Sequence, residues 1–539
     1  MKTRSLSRRP MSRQLLTQRP RSRTARLTSG TRIGVSLACL ASAGSVGATV
    51  GVDTTALVEA VTVEAARAHQ ARFQEFADEG DGTREASSDG YLNSAIYISQ
   101  LMIEAGYEVD LQVFPYVYFE DLSDPVFEQV APVAISYPLD DPEGFTSATY
   151  SGQGDVTANV TAVDVILPAA ADPNTSTSGC DADDFAGFPA GDIALVQRGA
   201  CTFGQKVLNA QAAGAVGVII FNEGQEGRTE AFGATLGEPG FTVPVVTASF
   251  AIGEVFAPGG AQARVSVDTL VENRISANVI AESRVGRSDR TLVVGAHLDS
   301  VDEGPGIQDN GSGSAGILEI ALQLAALATA DEMKVYNRLR FAWWGAEELG
   351  LLGSEYYVDN LTEEEIGEIA LNLNFDMIGS PNYARFIYDG DGSVTDPAGP
   401  EGSAFIEWLF RDWFDQQGLA SEPTAFSGRS DYGPFIAVGI PAGGLFTGAE
   451  GIKTEEQVAL YGGTAGEAYD PCYHEACDTF DNISIEGFDQ MLDAAANAVG
   501  VFAVNSLPAP PAAKLADGST ASFKRTAVET DFRGNRLER

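Results

Sequence analysis

Apolar residues recur at helical spacing from Ala56 to Phe76 and again from Gly90 to Ala105, and the second run leads into an alternating strand pattern, Tyr107 to Phe114. Between about Pro115 and Glu272 the pattern shortens. Segments such as AISYP, DVTANVTAVDVIL, DIALVQRG, GVIIFNE and VPVVTAS read as brief strands divided by Gly and Pro turns, the texture of an inserted β-rich domain. From Ser276 onward strands alternate with long helices: NVIAES, TLVVGAHLD, a helix from about Gly313 to Ala330, RLRFAWWG, a helix after Glu347, and ALNLNFDM. Unbroken apolar strands alternating with helices predict an α/β fold, a mixed, mostly parallel sheet with helices on both faces. The domains that follow are a discontinuous α/β unit, 53–114 with 273–506, and an insertion, 115–272. After Ser506 the run LPAPPAAK breaks the pattern, so 507–539 is expected to be a flexible C-terminal tail. No repeat at solenoid or propeller spacing is present.

Composition agrees with a folded chain: 539 residues, 44% of them hydrophobic, can supply two or three domains with real cores. The first 32 residues carry ten Lys or Arg and no acid, and a small, apolar run from Ile33 to Val52 follows, containing Ala41-Ser42-Ala43. Residues 1–48 therefore read as a signal peptide region, and the chain as secreted, extracellular or periplasmic. The basic stretch is long for such a signal, which leaves open a start at Met11 or a twin-arginine signal at Arg8-Arg9. A membrane anchor is the competing reading of the same run. No other segment reads as a bilayer span, so stable membrane insertion after signal removal is not expected.

Charge narrows the partners. The formal charge is −41, and loss of the ten basic residues carries it to about −51, so nucleic acid is not an expected partner. With Cys39 in the signal, Cys180, Cys201, Cys472 and Cys477 remain, and four cysteines in an exported chain imply two disulfides. Of three connectivities the sequence-adjacent pairs, Cys180 with Cys201 and Cys472 with Cys477, are favoured.

Candidate chemistry lies at strand ends. His297 and Asp299 follow TLVVGA, Glu347 and Glu348 follow RLRFAWWGA, and Asp376 follows ALNLNF. In a parallel sheet these carboxyl ends face one crevice. Asp309 lies on the loop after the first strand, and His474 sits between Cys472 and Cys477; the chain has three histidines and two are here. Singly, an acid at a strand end is usually a helix cap and a Glu-Glu pair a solvated first turn. Together, two imidazoles and four carboxylates suit zinc best, and a bridging carboxylate lets such a set hold two ions roughly 3.5–4 Å apart.

In order and spacing, GAHLDS, GIQDNGSG, WWGAEELGLLGS, NFDMIGS and CYHEACDT resemble the secreted di-zinc aminopeptidases of the bacterial leucyl aminopeptidase and aminopeptidase Y type, over roughly Ala56 to Ser506. GDIALVQRGACTFGQKVLNAQAAGAVGVIIFNE resembles the protease-associated domain. The resemblance implies two Zn ions per chain: Asp309 bridging, His297 and Asp376 on one ion, Glu348 and His474 on the other. It further implies Glu347 as general base, Asp299 as the acid that orients the ligand imidazole, Tyr473 as support for the oxyanion and Arg429 as a substrate contact. The implied activity is release of N-terminal, apolar residues from peptides with a free N-terminus, by a monomer.

Competing readings stay in view. Gly311, Gly313 and Gly316 spell GxGxxG, but about a dozen residues separate His297 from Gly311, too far for a dinucleotide turn, so the glycines are read as a turn. A carboxypeptidase or single-zinc cyclase of the same fold, or an inactive receptor, also remains open. Phe426, Tyr432, Phe435 and Phe446 fit an apolar pocket or ordinary core equally well. His69 reads as an ordinary helix residue, and the inserted domain as a shaper of substrate access.

Overall fold

The computed structural model describes residues 52–507, save 396 and 506. The expected signal region, 1–48, and all but Leu507 of the expected tail lie outside the described residues.

The first helical run is two helices, Thr55–Ala60 and Val63–Glu79, because Thr62 takes an extended conformation and its hydroxyl accepts the amide of Ala65 as a cap. Asp89–Glu104 follows, capped by Ser88. The strand expected over Tyr107 to Phe114 runs on for 24 residues, Glu108–Ala131. It pairs antiparallel with the 21-residue strand Gln262–Glu282, from Glu108 opposite Glu282 to Ala131 opposite Gln262. Pro115 and Glu272 both lie within this ribbon. The insertion is thus entered and left on paired strands rather than through a linker, and Pro115 is tolerated because its strand has a neighbour on one side over most of its length.

The main sheet runs in the order Glu422–Thr424, Phe386–Tyr388, Ala442–Phe446, Ile369–Phe375, Arg287–His297, Asn337–Trp344, Gln262–Glu282, Glu108–Ala131. Four central neighbours, from Ala442–Phe446 to Asn337–Trp344, are parallel. Their unbroken apolar character has a direct cause. Leu292 and Val294 pack in one buried cluster with the helices Gly311–Thr329 and Ile485–Val504, whereas Val293 joins Trp344, Tyr357 and Phe435 in another. Register brings the chemistry-bearing ends level: His297 lies opposite Trp344, and Gly295 opposite Asn374.

The GxGxxG glycines are not in a turn. They occupy the first two turns of Gly311–Thr329, and a Cβ at Gly313 would stand 2.0 Å from the Phe375 carbonyl oxygen. Close approach of helix to strand therefore requires glycine there, without any nucleotide. This helix is also long and apolar enough to cross a bilayer, which the sequence reading overlooked, yet 67% of the qualifying stretch is buried inside the fold.

The insertion continues the hydrogen-bonded path through Gly154–Ala162, Ile193–Gln197, Gly217–Phe221, Val245–Ala248 and Phe145–Thr149. Helices Phe203–Ala212 and Phe250–Phe256 accompany these strands, and small cores form around Phe221 and Phe256 and around Val207 and Ile220. A disulfide joins Cys180 to Cys201.

Candidate metal centre

The expected strand-end residues converge. His297 Nε2 lies 3.2 Å from Asp309 Oδ1, 3.2 Å from Asp376 Oδ1 and 4.0 Å from Glu347 Oε2. His474 Nε2 lies 3.1 Å from the other oxygen of Asp309 and 3.3 Å from Glu348 Oε2. Asp309 thus faces one imidazole with each carboxylate oxygen. Ligand-type atoms of His297, Glu347 and Asp376, and again of His297, Asp309 and Glu348, fall within 4.8 Å of one another.

Each side chain is positioned by its element. Ser430 donates to Asp376 Oδ2 at 2.6 Å and receives from Asn374 at 2.8 Å. Asn310 caps the helix through the Gly313 amide, accepts the Met377 amide and donates to the Phe375 carbonyl, which ties the Asp309 loop to the end of Ile369–Phe375. Asn310 is fully buried. His474 lies between Cys472 and Cys477, which form a disulfide. Its ring stacks on Tyr473, with centroids 3.5 Å apart.

The Asp299 carboxylate lies between the Glu347–Glu348 backbone and the His297 ring. It accepts the amides of Glu347 and Glu348, each at 3.2 Å. The distance from Oδ1 to His297 Nδ1 is 3.7 Å, beyond a hydrogen bond, and the closer partner of Nδ1 is the Asp299 backbone oxygen at 3.2 Å.

Two supporting residues were missed. Asp478 accepts the amides of Gln308 and Asp309 at 2.8 and 2.9 Å, and so holds the loop of the shared carboxylate. It is the acid that ends CYHEACD, a visible signal that passed unused. Arg84 is fully buried and donates to the carbonyls of Leu298, Pro305 and Gly306; no motif surrounds it.

Electrostatics describe a site short of positive charge. Burial pushes the Glu348 carboxyl up to about 7 and Glu347 well above the usual carboxylate range. Burial opposes charge on the imidazoles, but Asp376 and Glu347 hold His297 well above its ordinary value, and Glu348 and Asp309 raise His474 to about 10. Asp309 is held low by both imidazoles against burial. Glu348 Oε1 is buried without a hydrogen-bond partner. An orphaned carboxylate oxygen within a mixed imidazole and carboxylate set is what a bound zinc ion would satisfy, so the residues present fit the metal.

A cavity of about 290 Å³ opens over these groups. Arg429 and Tyr473 lie on its wall, as do Phe386, Tyr388, Tyr432, Phe446 and Tyr469. The aromatic candidates divide: Tyr432 and Phe446 line the cavity, Phe426 stacks on Tyr432, and Phe435 packs on Trp344 in the core. His69 is buried between Tyr97 and Glu319, remote from the cavity lining.

Known proteins match this arrangement. The model of peptidase family M28 matches residues 278–499, and that of the PA domain residues 156–256. An aminopeptidase of Pseudomonas aeruginosa is 48% identical over 428 residues, 79% of this chain and 78% of the relative. Leucine aminopeptidase 2 of Trichophyton equinum is 49% identical over 311 residues, 57% of this chain and 61% of that protein. Among solved structures, the aminopeptidase from Aneurinibacillus sp. strain AM-1 superposes with a TM-score of 0.64 at 26% identity, covering 85% of this chain and 98% of that one. With the sheet, the convergent strand ends and a relative aligned over most of both lengths, the chain belongs to peptidase family M28 and carries an inserted PA domain.

Proposed function

We propose that this chain is a zinc aminopeptidase that holds two zinc ions and releases N-terminal, apolar residues from peptides. The observation that carries the reading is Asp309, one carboxylate shared between two imidazole and carboxylate half-sites. His297 and Asp376 would hold one ion, Glu348 and His474 the other, with Asp309 between them. Zinc, when bound, supplies Lewis acidity toward the scissile carbonyl and favours ionisation of water.

The residues of the chain do the rest. Glu347, buried beside His297, takes a proton from the attacking water and returns it to the departing amine. Tyr473 donates its hydroxyl to the charge that develops on the carbonyl oxygen, and Arg429 contacts substrate on the cavity wall. The aromatic lining suits an apolar N-terminal side chain, and the acids beside it attract an N-terminal ammonium and repel a C-terminal carboxylate. The relatives named aminopeptidase point the same way. Two disulfides fit export into an oxidising compartment. The division into 53–114 with 273–506 and 115–272, and the monomeric state, belong to the same proposal.

The test is hydrolysis of a panel of aminoacyl anilides, with chelator and then zinc add-back, beside N-acetylated counterparts and a metal analysis of the purified protein. Activity on free amines alone, lost to chelator and restored as two zinc ions rebind, is expected. Preference for the blocked substrates, or turnover indifferent to chelator, would overturn the reading.

A further inference from the structure

The aromatic cavity shares His474 with a second one. A cavity of about 330 Å³ also has this imidazole in its wall, and the two have no other lining residue in common, so His474 stands where they meet. The first cavity contains the reacting groups and is lined in part by aromatic side chains. The second is bounded on one side by Glu303, in the loop after the His297 strand, and on the other by residues of the insertion. Its insertion wall includes the segment Asp121–Pro125, where the long ribbon loses register between Asp121 and Ser123 and again between Ser123 and Val126. Such bulges turn side chains out of a ladder, and Asp121–Pro125 line this cavity.

A peptide cleaved after its first residue must lead the rest of its chain away from the metal centre. Extended chain advances about 3.3–3.6 Å per residue, so the first residues of the leaving segment would run along a cavity that begins at His474. Asp121, Asp124, Asp140 and Glu303 line this space, and no Lys or Arg does. Acidic side chains alone would not make a subsite. Here an open cleft that shares a wall with the reacting groups makes one, and the charge decides what it prefers.

We propose that this second cavity binds the residues that follow the scissile bond, and that it selects peptides with Lys or Arg at the second or third position over peptides with Asp or Glu there. The inference rests on the aminopeptidase reading. The insertion then acts on specificity through the leaving segment, while the aromatic cavity reads the N-terminal side chain.

The test compares kcat/KM of the zinc-loaded enzyme for Leu-Lys-Ala, Leu-Glu-Ala and leucine p-nitroanilide, whose leaving group has no charged side chain. Wild type should favour the lysine peptide by about tenfold at low ionic strength, the sum expected of a few exposed charge interactions. The ratio should fall toward one in Asp124→Asn/Glu303→Gln and in roughly 0.5 M NaCl, which screens such contacts. The anilide should be unaffected by the substitutions. Glu303→Lys, at an exposed position, should move the preference toward the glutamate peptide. Because the whole chain is strongly acidic, a ratio that survives the double substitution would assign the preference to overall charge and overturn the inference. Equal rates for the two peptides in wild type would overturn it as well, with anilide hydrolysis leaving the aminopeptidase reading intact. Absence of anilide hydrolysis would remove both.

Discussion

Asp299→Asn separates holding a backbone from holding an imidazole. The carboxylate receives two amides, those of Glu347 and Glu348, at 3.2 Å each. The residue before them, Ala346, has φ 58°, a left-handed conformation that costs an alanine roughly 1–2 kcal/mol. Asp299 therefore keeps Glu347 and Glu348 on a backbone that would otherwise relax. Asparagine keeps one acceptor and turns an NH2 group toward the other N–H. The loss of one hydrogen bond to a charged acceptor is about 1.5–3 kcal/mol. Converted at about 1.4 kcal/mol per decade, that is a fall of roughly 10- to 100-fold in kcat/KM, and zinc affinity should fall with it because Glu348 moves too. The His297 Nδ1 contact is to a backbone oxygen that asparagine retains, so the imidazole should stay in place. Kinetics on leucine p-nitroanilide with metal analysis of the dialysed protein checks both effects. Wild-type kcat/KM with full zinc content in Asp299→Asn would refute the argument.

Three further outcomes follow from the same geometry. Glu347→Gln should lower kcat by about 10²–10⁴-fold while the zinc content stays near that of wild type, and a fully active variant would remove Glu347 from the proton transfer. Arg84→Met should leave three backbone carbonyls and several acids without their buried cation, at about 3–5 kcal/mol, read as a lowered denaturation midpoint. In the insertion, burial lowers the Lys206 amine to about 8 against 10.5 in the unfolded chain. The unfolded state then binds more protons between those values, so stability should rise with pH from about 8 to 10.5, by up to about 3 kcal/mol. Melting curves across that range should show the rise in wild type and not in Lys206→Met; the same slope in both would discard this account.

The readable part of the site is the part built on strand ends. Three buried strands each change abruptly from apolar residues to His or acid, and a sheet turns that one-dimensional coincidence into a crevice. What escaped acts through backbone. Arg84 joins carbonyls of Leu298, Pro305 and Gly306 from more than 200 positions away, a relation no spacing rule encodes. The long ribbon was likewise hidden, because Glu108–Ala131 carries Pro115, Asp121 and Pro125, residues that argue against a strand when packing is unknown. Thr62 divided a helical run whose periodicity continued across the break. Among the aromatics, spacing could not distinguish Phe435, which fills the core, from Phe446, which faces the cavity.

The charges around the site also bear on the number of ions. Asp299, Asp309, Glu347, Glu348, Asp431 and Asp478 are buried, and Asp376 is nearly so. They fall into groups with different compensation. Asp299 and Asp478 rest on four backbone N–H groups and face the charge of Arg84. Burial pushes the Asp431 carboxyl up to about 8, and burial raises Asp478 well above the usual carboxylate range as well. Asp309, Glu348, Asp376 and Glu347 are left, opposed by the two imidazoles, by Arg84 and by Arg429 on the cavity wall. Without a metal, protons must fill that gap, as the raised carboxyls of Glu347 and Glu348 and the raised imidazoles indicate. On the two-zinc proposal, two divalent cations would offset those four carboxylates charge for charge, and a single ion would leave more of their charge uncompensated in a low-dielectric pocket. On that proposal, bound zinc would displace the protons and favour ionised Glu347, the state its proposed role as general base requires.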